Sequence, residues 1–148
     1  MGADLYIKSL YERQREKYKP NFDAWVKVRQ QATTDEDREK AQEQVMKYFN
    51  KMYKRGYFRD AYNDSNLLWQ FELSWWSSVV PLLDEDGNLS LDNVQWLLQE
   101  LEKREPIFEL NLKKQDARWR KYFRKKYQAL RVLLRQAIDC NQPIRCSL

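Results

Sequence analysis

Glycine and proline, which most often break helices or form tight turns, are scarce in this chain: there are three glycines and four prolines in 148 residues. Sheets with many tight turns seldom have so few, whereas long helices joined by few breaks do. Apolar residues also recur at a spacing of three and four through most of the sequence, which is the helical period. The sequence therefore predicts an all-α fold, with residues 1–148 forming a single-domain bundle of five to six helices.

The clearest predicted helix begins after Thr34. The hydroxyl of Thr34 suits an N-cap position, and the three acidic residues that follow it suit the positive end of a helix dipole. Apolar residues then follow at helical spacing, namely Ala41, Val45, Tyr48, Phe49, Met52 and Tyr53. Upstream, a first amphipathic segment is predicted to stop or kink at Pro20.

Two later segments define the rest of the predicted bundle. Residues 67–83 are apolar around most of a helical wheel, which favours a central helix surrounded by others. Ser90 is predicted to cap the next helix. From Pro106 to about Asp139 apolar residues keep one line along a helix, so a long C-terminal helix is expected there.

The residue inventory excludes several kinds of active site. Histidine is absent, so catalysis by Ser-His or Cys-His pairs is excluded. Two cysteines, Cys140 and Cys146, cannot complete a structural zinc site. Residues 82–93 resemble a calcium loop in the middle, but Leu82 and Asn93 stand where such a loop needs Asp and Glu, so a capped turn is favoured. We therefore expect no catalytic residue set, no metal and no cofactor, and the sequence leans against an enzyme.

Basic residues are concentrated at the C-terminal end of the chain. Residues 113–148 carry eleven basic and two acidic residues, while residues 1–112 carry sixteen basic and twenty acidic. On the predicted last helix, cations occupy the face opposite the apolar line: Arg120, Lys121, Arg124, Lys125, Arg131 and Arg135. Such a face can dock an acidic protein surface, bind phosphates, lie on an anionic membrane, or pack beside the acidic residues of segment 84–109.

The leading functional hypothesis is a non-enzymatic helical interaction module that uses this basic face, with a protein partner or a second copy of the chain. Sequence-nonspecific binding of nucleic acid through the same face is the first alternative. Trp96 projects from the far side of its predicted helix, and a large exposed aromatic often marks an interface. Packing of Trp96 beneath a loop is an equal alternative.

The second alternative is a small-molecule site or an enzyme around a buried acid. Glu72 falls on the most apolar side of the predicted central helix, where a carboxylate must find a partner or stay protonated. Arg59, Asp60 and Asp64 are near it in sequence and complete a candidate buried polar cluster. A structural pair, for example between Glu72 and Arg59, is the favoured interpretation over a functional acid of raised pKa.

Three short segments, at residues 1–7 (MGADLYI), 56–64 (GYFRDAYND) and 73–76 (LSWW), resemble a family of small bacterial proteins with no assigned activity. The resemblance covers about the first two-thirds of the chain and implies a bacterial, cytoplasmic protein. It transfers no catalytic or binding residue, and the basic last helix lies outside it. No apolar run approaches the length of a membrane span, so an integral membrane protein is not expected.

Overall fold

The structure, a computed structural model, describes residues 2–61 and 66–148. These residues are predominantly helical, as the sequence predicts, but they also form a four-stranded antiparallel sheet, so the all-α prediction is wrong in that respect. The chain groups into two compact units. One is formed by the N-terminal residues up to Ile7 together with Tyr57–Leu148, and the other by Lys8–Gly56.

The unit Lys8–Gly56 is a helical hairpin made of α1 (Lys8–Gln31) and α2 (Asp35–Met52). The N-cap of α2 is confirmed, because the Thr34 side chain accepts a hydrogen bond from the Asp37 amide at 3.2 Å. Pro20 does not stop α1, which continues through it to Gln31. Aromatic rings line the hairpin, and Phe49 and Tyr53 form one close pair, with ring centroids 4.7 Å apart.

The sheet of the other unit contains β1 (Gly2–Tyr6), β2 (Tyr57–Ala61), β3 (Asn88–Leu89) and β4 (Ile144–Ser147) in the order β2-β1-β4-β3. Alternate residues of these strands are buried and form one wall of the core, namely Ala3, Leu5, Phe58, Leu89, Ile144 and Cys146. Within the described residues each strand spans five residues or fewer, so the alternation that indicates a strand extends over too few positions to stand out from the helical pattern.

The predicted central helix is not formed. Its residues make a 3-10 turn at Leu68–Phe71, a π turn at Trp75–Val79 and a 3-10 turn at Val80–Leu82. Glu72 adopts a left-handed conformation with φ of 57°, which ends the first turn, and Ser74 caps the second. The short turns point Leu68, Phe71, Trp75 and Val79 into the core, while Trp69 and Trp76 stay exposed.

The C-terminal part forms α3 (Leu91–Lys103), α4 (Glu105–Lys113) and α5 (Ala117–Cys140). The Ser90 cap of α3 is confirmed by its bond from the Asn93 amide. The single helix predicted from Pro106 is interrupted before Ala117, because the Asp116 carboxylate accepts the Trp119 amide at 3.0 Å and starts a new helix. Rings of Phe71 and Phe108 stack at 4.4 Å in the core between these elements.

Candidate functional site

The candidate site is the outer face of α5, a 24-residue helix. Asp116 caps its first turn, and Asn141, in the left-handed conformation, ends it. One face is buried in the core through Phe123, Tyr127, Leu130, Leu133, Leu134 and Ala137. At 3.6 residues per turn, this stripe leaves the basic residues on the opposite face and on its two flanks.

One flank of α5 is neutralised by acidic residues of α3 and α4. Arg124 forms an ion pair with Glu109 at 2.9 Å. Arg131 and Arg135 both approach Glu102, at 3.7 Å and 3.4 Å. Half of the predicted basic face therefore packs beside the acidic segment 84–109, the arrangement that the sequence left open.

The remaining cations lie around a shallow, open depression of about 500 Å³, here called the basic depression. It is lined by Ala117, Arg120, Lys121, Arg124, Lys125 and Gln128. Arg120 donates to the carbonyl of Gln115 at 2.8 Å, which holds its guanidinium at the N-terminal end of the depression. Within residues 2–61 and 66–148, Lys121 and Lys125 have no carboxylate partner. Their charges are available to an anionic ligand.

A second cavity of about 230 Å³ adjoins the basic depression and lies between α4 and α5. Arg124 and Gln128 line both spaces. In the smaller one, Tyr127 donates its hydroxyl to Glu105 at 2.7 Å, and burial together with this carboxylate raises the pKa of Tyr127. The guanidinium of Arg131 lies 5.3 Å from the centre of the Tyr127 ring. Acids and bases alternate around this cavity, so it has no strong preference for either sign of charge.

Among the described residues, the buried acid is Asp60, not Glu72. The Asp60 carboxylate accepts hydrogen bonds from the amides of Ala61 and Leu67, both at 2.9 Å, and from the indole of Trp75 at 2.8 Å. Burial raises the pKa of Asp60, while these hydrogen bonds and the charge of Lys126 act in the opposite direction. Asp60 thus ties β2 to the turns that follow it, and its oxygens are occupied by neighbouring N–H groups.

Of the other members of the predicted polar cluster, the two that the structure describes, Glu72 and Arg59, do not join Asp60. Glu72 is exposed, because the break at its left-handed backbone turns the side chain away from the core. Arg59 is exposed on β2, where its Nε lies 3.7 Å from Asp4 of β1. Asp64 lies outside the described residues. The premise of a pocket around a buried Glu72 is therefore wrong.

Among the described residues, exposed tryptophans are found where the sequence placed one, at Trp96, and in three further places, at Trp69, Trp76 and Trp119. Trp96 on α3 is 39% exposed. Trp69 and Trp76 are more exposed than Trp96, and neither was predicted, because the central helix was drawn through both. No local signal distinguishes the exposed Trp69 and Trp76 from the buried Trp75, since the irregular turns decide which ring points outward.

The three sequence segments that carry the family resemblance meet in space. The first forms β1 and the second contributes β2, which pairs with it from Gly2 opposite Ala61 to Tyr6 opposite Tyr57. The third contains Trp75, whose indole bonds to Asp60. These segments therefore pack together within one unit. Helix α5 contacts them through Lys126, which donates a hydrogen bond to the carbonyl of Arg59.

No family model, curated protein or solved structure matches the chain. Of the residues that the structure describes, none belongs to a helix with the length and hydropathy that crossing a bilayer requires.

Proposed function

We propose that this protein is a non-enzymatic interaction module that binds an acidic segment of a protein partner in the basic depression of α5. One observation carries the proposal. Four cations line the depression, Arg120, Lys121, Arg124 and Lys125, and only Arg124 among them is paired with a carboxylate in the described part of the chain. An exposed, uncompensated cluster of this kind attracts anionic ligands and steers their approach.

The spacing of the free lysines favours a short acidic segment. Lys121 and Lys125 are one helical turn apart, which is a rise of about 6 Å. Two carboxylates at alternate positions of an extended chain are separated by about 6.6 Å, and two carboxylates at positions i and i+4 of a helix by about 6 Å. Either arrangement lets one partner segment reach both lysines at once, with Arg120 available for a third acidic group.

The neighbouring carboxylates disfavour a nucleic acid as the natural ligand. Glu102 and Glu109 border the cations of α5 on the side of α3 and α4, so the positive surface is short in that direction. A phosphate backbone needs a continuous basic track, because its affinity comes from many phosphate contacts. A short acidic peptide needs only the cations between Arg120 and Lys125, which span about one and a half turns of the helix.

The test is a titration of the full chain into a fluorescently labelled glutamate-rich peptide, followed by anisotropy at low and at high salt. We expect saturable binding at low salt that weakens as salt screens the charges. In the double variant Lys121→Glu/Lys125→Glu, the dissociation constant should rise about tenfold or more.

A matched control makes the same change in net charge elsewhere. Lys27→Glu/Lys103→Glu alters two exposed lysines outside the depression and should leave peptide binding within about twofold of the original, a difference of about 0.4 kcal/mol. Labelled single-stranded and duplex DNA serve as the competing ligands. The proposal is wrong if the peptide does not bind, if both double variants weaken it equally, or if DNA binds and the peptide does not.

A further inference from the structure

The helical hairpin leaves much of its apolar surface in contact with water. Helix α1 has no buried side chain along its 24 residues, and α2 buries only Ala41, Val45 and Met52. In a two-helix hairpin each helix packs along only one other helix, so apolar residues on the edges of the contact stripe stay partly exposed. Bundles of four helices remove that surface from water.

One edge of the hairpin carries four apolar residues that are partly or largely exposed, here called the hairpin strip: Phe22, Val26, Met46 and Phe49. The rings of Phe22 and Phe49 face each other across the two helices, with centroids 6.2 Å apart. Val26 and Met46 each lie one helical turn farther toward the loop that joins the helices. Met46 is 44% exposed and Phe49 is 40% exposed.

Charge is distributed unevenly along the hairpin. The base, residues 8–19 and 44–56, carries nine basic and two acidic residues. The tip, residues 20–43, carries four basic and six acidic residues. The hairpin strip straddles the boundary between base and tip, with Phe22 and Val26 in one part and Met46 and Phe49 in the other.

We infer that the hairpin strip binds the same strip of a second copy of this chain, with the two hairpins antiparallel about a two-fold axis. A two-fold axis brings the same patch of both copies together, so the patch must be self-complementary. The hairpin strip is apolar and lies near the middle of the hairpin, so the axis can pass through it. The same axis places the acidic tip of each copy beside the basic base of the other. The product is a four-helix bundle, and the inference is independent of the basic depression on α5.

The mass of the full chain in solution tests this inference. Sedimentation velocity across a range of concentrations should show a reversible dimer. Met46→Glu places a charge in the interface and should raise the dimer dissociation constant about tenfold or more. Leu110→Glu is the matched control, since Leu110 is 59% exposed on α4, outside the hairpin, and this change should leave the dimer intact. Circular dichroism confirms that both variants keep their helices.

Disulfide cross-linking tests the orientation and does not depend on the Met46 variant folding. In a Cys140→Ser background, one protein carries Thr33→Cys at the tip and another carries Lys54→Cys at the base. Mixing them under mild oxidation should give the tip-to-base heterodimer in preference to either homodimer. A monomer at every concentration, a dimer that Met46→Glu does not weaken, or preferential tip-to-tip cross-links would overturn the inference.

Discussion

Helices α1 and α5 have the same length, 24 residues, and very different surroundings. Helix α5 contacts α3, α4 and β2 and buries six of its side chains, whereas α1 packs along α2 and buries none. Both helices carry aromatic residues at helical spacing, so amphipathic sequence alone does not decide burial. Burial depends on the number of neighbouring elements. Helix α5 has several and lies at the centre of a core, whereas α1 packs along α2 and keeps apolar surface exposed.

The largest expected difference between the two helices is the cost of removing a phenylalanine ring. Phe123 of α5 is 2% exposed, and Phe123→Ala should lower the free energy of unfolding by about 3–5 kcal/mol. Phe22 of α1 is half-buried, so Phe22→Ala should cost only about 1–2 kcal/mol. Urea unfolding followed by circular dichroism measures both. Equal losses would mean that the two helices are equally well packed.

A smaller loss of stability is expected when Asp60 is changed, the buried carboxylate that ties β2 to the turns that follow it. Asp60→Asn replaces one acceptor oxygen by an amide donor, which leaves a buried N–H without its partner and should cost about 2–3 kcal/mol at neutral pH. Leu67 and Trp75 are the donors affected. Glu72→Gln, a change of the exposed acid, is the control and should leave stability nearly unchanged.

The pH dependence of the Asp60→Asn effect follows from the raised pKa of Asp60, which burial causes. A carboxyl with a higher pKa in the folded than in the unfolded state binds its proton more tightly when folded. Its contribution to stability is therefore lost as pH rises from its ordinary value of 3.8 through the folded pKa. The stability difference between wild type and Asp60→Asn should shrink over that interval, and a difference that grows would contradict the assignment.

The sheet edge of the same unit provides a third comparison. A Cβ added at Gly2 would lie 2.6 Å from the carbonyl oxygen of Asp60 and 2.8 Å from Nε of Arg59. Gly2→Ala should therefore force β1 and β2 apart and cost about 1–2 kcal/mol by overpacking. A thermal melt is sufficient to detect the loss. Lys8→Ala, at the exposed first residue of α1, is the control, and an unchanged melting temperature in Gly2→Ala would show that β1 tolerates a side chain there.

The smallest stability effect is expected on the outer face of α5. Glu109→Gln removes the exposed ion pair with Arg124 and should change the free energy of unfolding by less than about 1 kcal/mol. It should nevertheless tighten the acidic peptide in the basic depression, because Arg124 no longer has a competing carboxylate. Glu43→Gln, on the hairpin, makes the same charge change and should not affect peptide affinity.

Elements set by local signals could be predicted from the sequence. Helices α2 and α3 begin where Thr34 and Ser90 cap them, and the apolar spacing that follows each cap is regular. Helix α5 was predicted with its basic face, although its start was not, because the apolar line that predicts one helix from Pro106 to about Asp139 runs past the Asp116 cap. Capping hydroxyls and carboxylates act on amides two or three residues away, so the sequence contains them directly.

Elements that depend on distant residues could not be predicted in the same way. Strand β1 pairs with β2, which follows it in the sequence only after the hairpin Lys8–Gly56, and nothing near residues 2–6 indicates that partner. The burial of Asp60 depends on the Trp75 indole, and the exposure of Glu72 depends on a backbone break that the helical wheel did not include. The sequence could not decide whether Arg124, Arg131 and Arg135 form ion pairs, because only tertiary packing brings α3 and α4 beside α5.

Hydrogen exchange of the backbone amides tests the central claim most directly, which is that α5 lies in a complete core whereas α1 has the exposed apolar surface that we propose a second copy covers. At concentrations low enough to keep the chain monomeric, amides of α1 should exchange about 100-fold faster than those of α5, a difference of about 2.7 kcal/mol in opening free energy. Raising the concentration should slow exchange in α1 and leave α5 unchanged. Equal protection of α1 and α5 in the dilute monomer would contradict the account.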